Sequence, residues 1–157
     1  RRFRHLLAVD GHRADAEPVS YGSDSAGAAH AMAQTLGGMV PVMHGQCVAA
    51  MLPAVMEFNW KGAPEKFARI AQALGVDITG MSRDEAAQAA VLAVEQLVKD
   101  VEIPTLLEQG VNPDEIDRYA KAAYEDPQTF GNPRDVDLDG YKWIYRRCFG
   151  LEESTIY

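Results

Sequence analysis

His30 and His44 are the side chains in this chain best suited to chemistry, and their spacing sets a geometric condition. At about 1.5 Å per residue, the fourteen positions between them would span about 21 Å on one unbroken helix, too far for a shared ligand. The segment between them holds Gly37, Gly38 and Pro41, which stop a helix and forbid its smooth continuation. The reading is therefore helix, turn, helix. His30 lies on the outgoing arm and His44 at the start of the returning one, and a fold-back can bring both imidazoles to one point. Two convergent imidazoles are half of a transition-metal site, which takes three or four N, O or S ligands at about 2.0–2.3 Å. By themselves two histidines of unknown facing are also compatible with ordinary core, capping or surface roles.

The text around the histidines is more specific than the histidines. AHAMAQTLGG followed by HGQCVAAMLPAVMEFN resembles the metal-binding stretch of the iron-containing (group III) alcohol dehydrogenases. The resemblance continues through KFARIAQALGVD, IPTLLEQGV and FGNPRD, from about Ser25 to Phe149. It implies the helical C-terminal domain of such an enzyme, of the dehydroquinate synthase-like type. In that family an N-terminal α/β domain binds NAD(P). Four side chains hold a divalent ion: an aspartate and a histidine four positions apart on an earlier helix, and two later histidines. His30 and His44 match the later pair. No aspartate here is followed by a histidine four positions on, and no glycine-rich phosphate turn sits between a strand and a helix, so both the earlier ligands and the nucleotide site belong outside this chain.

One position departs from the family pattern. Many members carry a further histidine one helical turn after the first ligand, near nicotinamide and substrate, where this chain has Gln34. Glutamine hydrogen-bonds but does not titrate, so Gln34 is a catalytic-site candidate that alters proton relay and substrate preference without touching the ligand set. The implied reaction is metal-assisted hydride transfer between a small alcohol or aldehyde and NAD(P). Iron(II) comes with the family resemblance; on donor type alone zinc fits equally well. Gly45, beside His44, either permits close backbone approach or starts a helix. Asn132 to Arg134 fall in a loop resembling one near the family's active-site cleft. The rival reading is a catalytically silent helical module or truncated remnant, whose exposed docking face would favour self-association as a homo-oligomer.

Composition narrows the field. The chain has 157 residues, 47% of them hydrophobic, enough for one buried core. A formal net charge of −8 argues against nucleic acid or an anionic membrane surface as partner. No apolar run reaches the eighteen or so residues of a spanning helix, and no signal-peptide pattern is present. Two cysteines, Cys47 and Cys148, make no disulfide framework, so the economical compartment is the cytoplasm.

The elements that must position the histidines follow from periodicity and punctuation. Residues 1–21 read as a leader with a brief helix around Phe3 to Val9, unaligned to the family; His5, His12, Asp10, Asp15 and Asp24 in or near it read as surface residues. Residues 22–157 read as the helical metal-binding domain. The second arm, about Met43 to Trp60, is apolar nearly all round and belongs in the middle of a bundle, with Met51 and Met56 as core and Pro53 as a kink. Pro64 opens a helix with Phe67, Ile70, Ala71 and Leu74 inward, closed by Gly75. Ser82 and Glu85 make a capping box for the longest amphipathic run, with Ala86 to Val101 as its buried face, ending before Pro104. A short helical turn at Thr105 to Glu108, a helix capped at Asn112 and a last helix from about Leu138 to Phe149 complete an all-α bundle of about six or seven helices, with no sustained strand pattern.

Overall fold

Helix-forming runs broken by Gly and Pro fold as the punctuation predicts. The computed structural model describes residues 27–156. Within them lie six α-helices and no strand: α1 (Ala28–Gly37), α2 (His44–Asn59), α3 (Pro64–Ala73), α4 (Arg83–Asp100), α5 (Ile116–Glu125) and α6 (Leu138–Cys148). Three short 3-10 segments, Trp60–Gly62, Pro113–Glu115 and Pro127–Gly131, join them. The expected leader helix at Phe3 to Val9, together with His5, His12, Asp10, Asp15 and Asp24, lies outside the described residues.

Helix α2 is central because it is apolar on two sides. It packs against α1, α4 and α6. On one side Cys47, Met51, Ala54 and Val55 join Met32 and Leu36 of α1, Tyr119 and Ala123 of α5, and Tyr141 and Ile144 of α6 in a core closed by Leu106, Val111 and Val136. On the other, Met56 and Trp60 meet Phe67 and Ala71 of α3, Ala87, Ala90 and Val91 of α4, and Ile156 near the chain end. Met51 and Met56 thus serve packing, one on each side. The helix runs through Pro53 without terminating.

Local capping sets the boundaries. Ser82 accepts the Glu85 backbone N–H at 3.2 Å, and the Glu85 carboxylate accepts the Ser82 N–H at 2.7 Å, the reciprocal box read from sequence. Asp137 caps α6 by accepting the Gly140 N–H at 2.7 Å. The Thr105 to Glu108 segment forms the single turn expected, with the Gln109 N–H donating to the Thr105 carbonyl at 3.0 Å and Gly110 at φ 85° leading out of it. Two positions expected inward are exposed: Ile70, at the edge of a stripe whose Phe67 and Ala71 are buried, and Val101, because α4 ends at Asp100 and the chain turns at Glu102 toward Pro104. Both cysteines are free thiols, Cys47 buried in the first core and Cys148 partly buried beside it. Desolvation pushes the Cys47 thiol up to about 11, so it stays protonated and inert near neutrality.

One close approach ties the two halves of the chain together. A Cβ built on Gly62 would lie 2.6 Å from the Pro133 carbonyl oxygen, a backbone atom that cannot swing away. Gly62→Ala is expected to destabilise the chain by about 1–3 kcal/mol through overpacking. Chemical denaturation would show it as a lower midpoint at unchanged slope.

Candidate metal-binding site

The hairpin that carries the histidines is built from weak local signals and strong burial. Ala28, Ala29, Ala31, Met32, Ala33 and Leu36 bury most of α1, leaving His30 partly buried at the margin. The helix ends where Gly38 donates back to Thr35, and the backbone N–H groups of Met39 and Val40 both reach the Leu36 carbonyl, turning the chain. It then passes Pro41 and enters α2 at His44 from an extended Met43. His44, the first residue of α2, is exposed.

The two imidazoles stand side by side, with ring centroids 5.5 Å apart and planes tilted by 56°. This separation suits joint coordination. With one nitrogen of each ring at about 2.1 Å from an ion, each centroid lies about 3.2 Å from it, and a tetrahedral angle then separates the centroids by about 5.2 Å. Two neutral-capable nitrogen donors are also a chemically sound half-set for iron(II) or zinc. Among the described residues no group of three or more His, Cys, Asp or Glu side chains gathers to hold an ion, so an ion held by His30 and His44 would need donors from beyond this group. Gln34, one turn beyond His30, is exposed on α1.

The loop after α5 is joined to this hairpin in a way that sequence reading did not specify. Asn132 and Asn59 exchange amide hydrogen bonds: Asn59 Nδ2 donates to Asn132 Oδ1 at 2.9 Å, and Asn132 Nδ2 donates to Asn59 Oδ1 at 2.7 Å. Asn132 Nδ2 also donates to the Arg134 carbonyl at 2.6 Å, and its Oδ1 accepts the Ala28 backbone N–H at 3.2 Å. Arg134 in turn donates to the Phe58 carbonyl at 3.0 Å, its guanidinium 4.2 Å from the centre of the Phe58 ring. The FGNPRD segment reads locally as a loop, but the partners of Asn132 on α1 and α2 are 104 and 73 positions away, beyond any local pattern.

A helical domain with paired histidines on a hairpin is the class that these features define. The chain matches the family described as Fe-containing alcohol dehydrogenase, C-terminal, over residues 16–149, and it belongs to that family. It is 63% identical over 138 residues to a choline dehydrogenase of Bacillus subtilis (strain 168), covering 88% of this chain and 34% of that protein. It is 35% identical over 159 residues to a 1,3-propanediol dehydrogenase of Klebsiella pneumoniae, covering 95% and 41%, and 40% identical over 124 residues to a lactaldehyde reductase of Escherichia coli (strain K12), covering 78% and 32%. Among solved structures, that of a 1,3-propanediol oxidoreductase superposes with a TM-score of 0.76 at 39% identity, over 78% of this chain and 32% of that one. The chain therefore spans about a third to two fifths of the length of these relatives.

Proposed function

We propose that this chain is the C-terminal, ligand-bearing part of an NAD(P)-dependent alcohol dehydrogenase, in which His30 and His44 hold a divalent ion together with donors from the rest of the polypeptide. The observation that carries the reading is the pair of imidazoles 5.5 Å apart, in a chain of this family. When bound, the ion supplies Lewis acidity toward the oxygen of an alcohol or aldehyde, and the nicotinamide carries the hydride. His30, from a helix with one buried face, and His44, from the first turn of α2, fix two donor directions from separate elements. Gln34 presents an amide that can orient a hydroxyl but cannot take its proton, so the proton of the alcohol leaves by water or by another group.

Iron(II) is the first choice of metal on the family's name and zinc the alternative on donor type. The relative named choline dehydrogenase, at 63% identity, makes a quaternary-ammonium alcohol the first substrate to test, ahead of 1,3-propanediol and lactaldehyde. Two free thiols, and no helix among the described residues long and apolar enough to cross a membrane, are compatible with the cytoplasm. Phe130, Met43 and Leu107 expose 89%, 67% and 64% of their surface, an apolar display that supports burial against further protein, whether a second copy or the remainder of the polypeptide.

The test is turnover by a family-length polypeptide carrying this chain, purified without a histidine tag and assayed with choline and 1,3-propanediol against NAD and NADP, and with lactaldehyde against NADH and NADPH. Metal-dependent reduction of NAD(P) by an alcohol is expected there, and none from the 157-residue chain alone. A metal-replete, folded polypeptide that turns over no alcohol or aldehyde would refute the reading.

A further inference from the structure

The first turn of the helix that carries His30 is held by a residue from the far end of the chain. A helix leaves its first N–H groups without internal partners, and the residue preceding it usually supplies a side-chain acceptor. Helices α4 and α6 follow that rule through Ser82 and Asp137. Helix α1 cannot, because its preceding residue is Gly27, at φ 85° and without a side chain. Its two leading donors go instead to the loop after α5. The Gly27 N–H reaches the Gln128 carbonyl at 2.9 Å, and the Ala28 N–H reaches Asn132 Oδ1 at 3.2 Å. The loop is fastened at that point, because Asn132 uses both amide protons, toward Asn59 Oδ1 and the Arg134 carbonyl, and Gly62 lies against Pro133. His30 is two residues beyond Ala28, and its own N–H closes the first turn onto the Gly27 carbonyl at 3.1 Å.

We propose that Asn132 is the positioning residue for His30: by accepting the Ala28 N–H it fixes the first turn of α1 and so the direction of the imidazole toward His44. It touches neither imidazole; it acts through backbone, as outer partners of ligating side chains do when they fix orientation. Asn59 serves it indirectly, donating to the same oxygen and holding the amide in its plane. The inference rests on the reading of His30 and His44 as an ion-holding pair, and it adds a determinant of that pair from outside the hairpin.

The experiment separates the acceptor role of Asn132 from its donor role. Asn132→Ala removes both. Asn132→Asp keeps an acceptor for the Ala28 N–H, at a helix end that favours negative charge, and loses the donors to Asn59 and Arg134. The readout is the nuclear Overhauser cross-peak between the ring protons of His30 and His44 in the 157-residue chain, which needs no metal. The cross-peak is expected to weaken at least fivefold in Asn132→Ala and to persist in Asn132→Asp, although both variants loosen the loop. In parallel, the zinc affinity of a family-length polypeptide is expected to fall about tenfold or more in Asn132→Ala and to stay near wild type in Asn132→Asp, the range typical of outer-shell changes. An unchanged cross-peak in folded Asn132→Ala would overturn the proposal. So would its loss in folded Asn132→Asp, which decides the matter alone if the alanine variant does not fold. A wild-type cross-peak that depends on Asn132 in this way, beside a folded family-length polypeptide that binds no divalent ion, would support the positioning role and count against the ion-holding reading.

Discussion

His44→Ala is expected to lower the affinity of a family-length polypeptide for its divalent ion by about a hundredfold or more while leaving the fold nearly untouched. The asymmetry follows from where the side chain sits. His44 is exposed, opens α2 without capping it, and belongs to neither core cluster, so its truncation removes a donor and little packing. Surface changes of that kind cost within about 0.5 kcal/mol. His30→Ala is expected to match it in affinity, since alanine is also the best helix former for a position inside α1. Elemental analysis of tag-free protein, paired with thermal melts, checks both variants. Full metal content retained in either would mean that the imidazole pair is a packing coincidence.

Glu57→Ala is expected to destabilise the chain by about 3–5 kcal/mol, the cost of breaking a buried, hydrogen-bonded ion pair. Only 4% of Glu57 is exposed, yet it lies on the central helix between the two cores. One carboxylate oxygen accepts from Arg147 Nε at 2.9 Å, while the other accepts from Ser154 Oγ at 3.1 Å, from the Thr155 N–H at 2.6 Å and from Thr155 Oγ1 at 3.0 Å. The carboxylate thus fastens α6 and the chain end to α2, and it brings Ile156 into the second core. Alanine would leave a largely buried guanidinium and three donors without their acceptor. For a chain of this size that is a fall in melting temperature of about 6–20 °C. Calorimetry checks it, and a shift below about 2 °C would show that water replaces the carboxylate at little cost. Arg147→Ala should lose less, because the acceptor keeps its three remaining donors.

Much of this architecture is legible in the residues, for identifiable reasons. Gly37–Gly38 and Pro41 force the fold-back, Pro64 and the Ser82–Glu85 box start helices, and the apolar circumference of residues 44–59 demands a central place; each is a local property that survives in the structure. The convergence of the histidines could be argued from the same punctuation. What could not be read is polar and distant. Glu57 sits among apolar residues as a single charge whose partners lie 90 to 98 positions away, so periodicity gives no sign that it is buried. Asn59 has the spacing of an inward position but is there to meet Asn132. One stripe ends a residue early, at Val101, and another has an exposed member, Ile70, between buried Phe67 and Ala71, because helical spacing marks a face without saying where its neighbour ends.

Residues 28–60 contain both imidazoles, the turn between them and the apolar faces behind them, so they look like a portable motif. The far-end cap on Ala28 shows why they are not. The hydrogen bond that starts α1 closes a circuit of 104 positions, and the walls that hold the hairpin come from α5 and α6. Grafted onto another scaffold, the same segment would carry its two imidazoles without the frame that aims them. The smallest transferable unit is the described domain itself, from the glycine before α1 to the loop that caps it and the helix that follows.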